Sequence, residues 1–237
     1  VVEVQPEFAS AEVSVSTTAV TAVATTVATG AATTVTSPPE PPTLVIVGDS
    51  VPRRATSEIV AAGASAGWNV TIDARDACAM SSNPRDQFLT DCAQWVDRLD
   101  ASVVGADAVV MWWGGTGEFF LWHSRSVKAC DAPEQVVDRY ETFLESLDIP
   151  PGTPLALALP SERADLGARE NASTKCERTA IIDWAASRNL VVFDPDPARL
   201  AAGGEREVRV DGMHYTHLGA VAVSEAFFAT LASAWDR

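Results

Sequence analysis

The sequence predicts an α/β protein: a three-layer α/β/α sandwich built on a five-stranded parallel sheet. Three observations carry that expectation. Short apolar runs recur at 44–47, 70–72, 108–113, 155–159 and 190–193. Longer segments with apolar residues at helical spacing stand between them. Most of the short runs are apolar throughout rather than alternating, as strands covered on both faces must be.

The elements follow in order. Leu44-Val45-Ile46-Val47 ends in Gly48 and reads as the first buried strand, with a helix from about Val51 to Ala66 after it. Val70-Thr71-Ile72 is a short second strand, and residues near Leu89 to Leu99 read as helix. Ala108 to Trp113 is the third strand, from which at least one of Trp112 and Trp113 must enter the core. Pro133 sits where a helix begins, followed by Val136, Val137, Tyr140, Phe143, Leu144 and Leu147 on one face. Leu155 to Leu159 is a fourth strand stopped by Pro160, and Ile181, Ile182 and Trp184 belong to a further helix. Leu190 to Phe193 is the fifth strand, and a last helix runs from about Thr216 to Trp235. In sheets of this kind active sites lie beyond the carboxyl ends of the strands, which puts Gly48-Asp49-Ser50 on the functional edge.

The first 42 residues do not belong to that pattern. Between residues 11 and 36, nine Thr, seven Ala, six Val and two Ser leave only two other residues, so large apolar side chains are missing and the segment reads as disordered or extended. Eleven hydroxyls make it a poor membrane span. Ser37 to Pro42 is a stiff Pro-rich spacer. The expected organisation is therefore a linker over 1–42 and one folded domain over 43–237. The net charge of −15 argues against nucleic acid and anionic membrane surfaces as partners.

Two short segments carry chemistry. Gly48 lets the chain turn after the first strand, and Ser50 then stands at the start of a helix, where free N–H groups are available to a developing oxyanion. Alone, the tripeptide reads equally well as a helix cap by Asp49 or Ser50. The second segment, Asp211-Gly212-Met213-His214, lies just before the last helix. His214 can serve a serine as general base, with Asp211 three residues away to orient it. Only three histidines occur in the chain, which makes one in this setting informative.

Together the two segments resemble the SGNH hydrolases, also called GDSL-type esterases. Gly48-Asp49-Ser50 matches the block that carries the nucleophile, and Asp211, His214 and Gly219 match the last block, D-x-x-H followed by a glycine. The resemblance spans residues 43–237 and implies the flavodoxin-like SGNH fold, with Ser50, His214 and Asp211 as catalytic residues and no cofactor or metal. It departs from the family in the middle blocks. The place of the oxyanion-hole Asn reads Trp113-Gly114-Gly115-Thr116-Gly117-Glu118, and no Gly supplies the second block around Asp73 to Cys78. The N–H groups of Ser50 and of Gly114, Gly115 or Thr116 are the expected donors in its stead. Gly115-Thr116-Gly117-Glu118 is similar to the G-x-W-E block of SGNH domains fused to the C-terminus of membrane acyltransferases, notably in actinobacteria. That branch implies an extracytoplasmic, membrane-tethered domain passing acyl groups from a donor to glycans or glycolipids, with a membrane acyltransferase domain N-terminal to it in the full-length protein.

Asp49, Glu118, Phe119 and Trp122 are the candidate substrate contacts, since sugar rings and acyl chains both bind aromatic faces. Core packing accounts equally well for Phe119 and Trp122. Four cysteines allow three pairings, of which Cys78–Cys92 and Cys130–Cys176 are expected. They imply an oxidising compartment, and their spacings do not suit zinc. Arg53 is expected in a surface salt bridge and His217 in a peripheral role. The isolated domain is expected to be monomeric. A catalytically weak glycan-binding or partner-docking module of the same fold is the alternative.

Overall fold

The computed structural model describes residues 39–76, 78, 90–114, 129–163 and 168–235. The chain divides into two units, Val1–Pro39 and Glu40–Arg237, and the second holds the sheet. Five strands, β1 (Thr43–Gly48), β2 (Asn69–Ala74), β3 (Ala108–Trp112), β4 (Leu155–Ala158) and β5 (Val191–Phe193), form one sheet in the order β2-β1-β3-β4-β5. Every pairing is parallel. The expected five-stranded parallel sheet is therefore the observed one.

Period-2 alternation divides the strands between two cores. Val45, Val47, Val109, Met111, Trp113 and Leu157 face one side, while Leu44, Ile46, Val110, Trp112, Ala156 and Phe193 face the other. Both Trp112 and Trp113 are buried, on opposite faces: Trp112 meets Phe193 and Phe227, and Trp113 meets Phe143. The helices α3 (Thr90–Val103), α4 (Pro133–Glu145) and α5 (Ala168–Ser187) bring Leu99, Phe143 and Ile181 to the first face. The other face receives Ile59 from α2 (Thr56–Ser65) and Val223, Phe227 and Leu231 from α8 (His217–Ala234). By length and composition α8 is apolar enough to cross a membrane, but its Val223, Phe227, Phe228 and Leu231 are buried in this core.

Three elements differ from expectation. The helix after β1 is two helices, α1 (Ser50–Arg54) and α2, because Ala55 leaves the helical path and Thr56 Oγ1 bonds back to Arg53 O at 2.6 Å. Two short helices, α6 (Asp196–Ala202) and α7 (Glu205–Val208), fill the stretch between β5 and the last loop. They lack an apolar repeat long enough to be read from sequence. Their place is held instead by buried arginines, described below.

Cys130 and Cys176 are joined by a disulfide that spans 46 residues of sequence and ties the segment before α4 to α5. The expected Cys78–Cys92 pair falls on the Cys92 side chain, outside the described residues. Closing a loop of this length restricts the unfolded chain, so the Cys130→Ala/Cys176→Ala variant is expected to lose about 2–4 kcal/mol. Thermal unfolding in non-reducing buffer measures it. An unchanged midpoint would mean that helix packing alone holds these segments.

Candidate functional site

The strand order reverses direction between β1 and β3, and a crevice opens at the carboxyl ends of strands at such a switch point. The chain leaves β1 there through Gly48. A Cβ on Gly48 would lie 2.0 Å from Trp112 O, so only glycine permits this approach of β1 to β3. Asp49 caps α1, its Oδ1 accepting from Val51 N at 2.8 Å. Ser50 opens α1, where backbone N–H groups have no intrahelical partner.

His214 and Asp211 arrive from the loop between α7 and α8. Arg209 and Tyr215 form an antiparallel bridge, and Val210 N donates to His214 O at 2.9 Å, closing the loop at its base. Gly212 takes φ +76°, the left-handed conformation that glycine adopts without strain. Thr216 caps α8 by accepting from Gly219 N at 3.3 Å. Gly219 lets α8 lie against α7, since a Cβ there would stand 2.3 Å from Val208 O.

This folding brings Ser50, His214 and Asp211 together across 164 residues of sequence. His214 Nε2 lies 2.8 Å from Ser50 Oγ, and His214 Nδ1 lies 2.6 Å from Asp211 Oδ2. Asp211 Oδ1 also accepts from the backbone N–H groups of His214 at 2.8 Å and Met213 at 3.1 Å. Partial burial pushes the Asp211 carboxyl upward. The backbone N–H of His214, its ring and the N–H of Met213 outweigh that and hold the group well below the usual carboxylate range. An ionised Asp211 favours a proton on Nδ1, which leaves the Nε2 lone pair facing Ser50 Oγ. Ser50 and His214 are 9% and 8% exposed, enough shielding to strengthen these bonds while leaving the edge of the site open. The arrangement suits proton transfer from a serine hydroxyl.

Gly114, expected as an oxyanion donor, is placed otherwise. Its N–H donates to Asp49 Oδ2 at 3.0 Å, and a Cβ on Gly114 would lie 2.1 Å from Val51 Cγ2. The glycine is there to bring the end of β3 against α1. Asp49, expected as a substrate contact, holds a backbone N–H group with each of its oxygens and is 7% exposed. Gly115, Thr116, Glu118, Phe119 and Trp122 lie outside the described residues. Arg53 pairs with Asp76 at 2.8 Å on the surface, and the exposed His217 meets Glu58 Oε1 at 2.7 Å. Among the described residues no cluster of three or more metal-ligating side chains occurs.

Sequence reasoning missed Arg209, whose guanidinium is buried under the 211–214 loop. The signal was present: Val208-Arg209-Val210 sets a cation between two apolar residues immediately before Asp211.

Solved structures share this architecture. A lipase/acylhydrolase from Enterococcus faecalis aligns with a TM-score of 0.57 at 15% identity, covering 81% of this chain and 96% of its own. A carbohydrate acetylesterase from Sinorhizobium meliloti gives 0.57 at 15% identity over 81% and 99%. A variant of an acetyl xylan esterase from Geobacillus stearothermophilus gives 0.57 at 13% over 80% and 94%. The fold is that of the SGNH hydrolases: one from Slackia heliotrinireducens gives 0.55 at 15% identity over 80% and 98%. No family model and no curated protein matches the chain.

Proposed function

We propose that this chain is an SGNH-type serine O-acyltransferase or esterase that acts outside the cytoplasmic membrane, moving acetyl or short acyl groups on cell-envelope glycans or glycolipids. The observation that carries the reading is the hydrogen-bonded series from Asp211 through His214 to Ser50 Oγ. The fold shared with acetylesterases and an acylhydrolase supports ester chemistry, and the disulfide supports an oxidising compartment. Similarity of Gly115 to Glu118 to the block of membrane-fused domains favours transfer over hydrolysis. The partners are then an acyl donor, a glycan or glycolipid acceptor, and a membrane acyltransferase domain in the same polypeptide.

In this mechanism His214 Nε2 takes the Ser50 hydroxyl proton as Oγ attacks the ester carbonyl. The Ser50 N–H and a donor from the Gly115–Thr116 loop hold the oxyanion. His214 then returns the proton to the leaving alkoxide, and the acyl group stays on Ser50. A glycan hydroxyl or water gives its proton to His214, attacks the acyl-enzyme and frees the serine. Asp211 holds the imidazole in one tautomer and stabilises its cation.

Two observations favour the second reading, a weakly catalytic glycan-binding module: the Gly114 N–H is committed to Asp49, and no Asn stands in the third block. Incubating the full chain with a fluorophosphonate separates the two. The enzyme reading expects a covalent adduct on the peptide carrying Ser50, together with p-nitrophenyl acetate turnover whose acetyl group is diverted to added oligosaccharide hydroxyls. Absence of both adduct and turnover would favour the binding module.

A further inference from the structure

Arginines and carboxylates, with Arg199 and Arg209 buried and the others half-buried, link the carboxyl ends of β4 and β5 to the loop that carries His214. Arg178 donates to Asp196 Oδ2 at 3.1 Å and to Asp194 Oδ2 at 2.5 Å, and also to Pro160 O at 2.8 Å. Arg199 Nε donates to Asp196 Oδ1 at 3.1 Å, and its guanidinium also pairs with Glu205. Arg209 reaches Glu205 Oε1 at 3.1 Å, with Asp196 Oδ1 at 3.9 Å. Its side chain is only 1% exposed.

Arg209 differs from the other two in what else it holds. Its Nη1 donates to Gly212 O at 3.0 Å, inside the turn between Asp211 and His214. The same nitrogen donates to Glu162 O at 2.6 Å, in the segment that follows β4. Its Cζ lies 5.7 Å from the centroid of the Tyr215 ring, just after His214. The guanidinium therefore fills the inside of the loop and fastens its middle to the functional edge of the sheet. A lysine ammonium, a compact point charge without the planar fork, matches this set of acceptors less well.

We infer that Arg209 is a positioning residue for His214: it fixes the 211–214 turn so that Nε2 stays within hydrogen-bond reach of Ser50 Oγ. The inference rests on the proposed reading of Ser50 and His214 as nucleophile and base. Displacing a reacting group by about 1 Å costs on the order of 100-fold in rate, so a loosened turn is expected to act on kcat. Substrate binding elsewhere in the crevice is untouched, so KM is expected to stay within about twofold.

Arg199 supplies the control. It is buried in the same cluster and shares Glu205 and Asp196 with Arg209, while its two bonds named above end on those carboxylates. Arg199→Gln and Arg209→Gln both remove one buried cation, and both are expected to lower the thermal midpoint. Only Arg209→Gln is expected to lower kcat on p-nitrophenyl acetate, by about 10- to 100-fold per folded molecule. Fluorophosphonate labelling of Ser50 is expected to slow in parallel. Arg209→Lys restores part of the rate, and it carries the comparison if Arg209→Gln does not fold. Wild-type kcat in the Arg209 variants overturns the inference, as does an equal loss in Arg199→Gln, which would mark a general packing effect. Wild-type protein that neither labels nor turns over overturns the proposed function instead, and this inference with it.

Discussion

Ser50→Ala and His214→Ala are each expected to reduce kcat on p-nitrophenyl acetate by about 10⁴- to 10⁶-fold, to the background of the assay. The size follows from the geometry. A serine hydroxyl is a weak nucleophile at neutral pH unless a base removes its proton as it attacks. Here the base stands 2.8 Å away and the carboxylate that orients it 2.6 Å beyond. The double variant is expected to be no worse than either single one, because nucleophile and base act as a unit. Additive losses would mean that the two residues serve different steps, and full activity in Ser50→Ala would end the serine mechanism.

The same geometry sets the pH behaviour. The Asp211 carboxyl is held below its ordinary value, so its contribution to stability is fully present above a pH of about 4. It is lost as the pH falls through the lower, folded-state value. Because the side chain is 49% exposed, the contribution is screened and small. Across the neutral range Asp211 is ionised throughout, so it stays an acceptor for the ring N–H of His214. Asp211→Asn keeps the shape but lets an amide N–H face the ring, which invites the wrong tautomer. Its kcat is expected to fall by roughly 10²- to 10⁴-fold with a small change in midpoint.

How much of this was legible in the sequence depends on what kind of signal each part leaves. β1, β3 and β4 could be read because a strand covered on both faces must be apolar at nearly every position. The third block marks the limit. Gly114 reads as a donor from position alone, since a glycine after a strand at the functional edge allows close approach. Its true engagement depends on a carboxylate 65 residues earlier in sequence. Asp49 is alike: an acidic residue beside a nucleophile suggests substrate contact, and only the packing of β3 against α1 shows that each of its oxygens also holds a backbone N–H. The helices α6 and α7 were invisible because buried ion pairs hold them, and charges scattered through Asp194 to Arg209 resemble a solvated surface when read in one dimension.

Asp49→Ala is expected to lower stability by about 2–4 kcal/mol, the largest loss of any single carboxylate near the site. The cap of α1 accounts for roughly 1 kcal/mol. A buried donor left without an acceptor accounts for about 1–3 more. Val51 is 2% exposed and Gly114 is buried, so water has little room to replace the missing oxygens. Asp49→Asn sharpens the argument. The carboxylate accepts from Val51 N with one oxygen and from Gly114 N with the other. An amide keeps one acceptor and turns an NH₂ toward the second N–H, setting donor against donor. The isosteric variant is therefore expected to lose nearly as much as Asp49→Ala, visible as a midpoint lower by roughly 5–15 °C. Ser50 is the next residue, so labelling by fluorophosphonate is expected to slow in both variants even among folded molecules. A wild-type midpoint in Asp49→Asn would show that one of the two bonds carries no energy, and that the junction of β3 with α1 is held by the close packing of Gly114 on Val51.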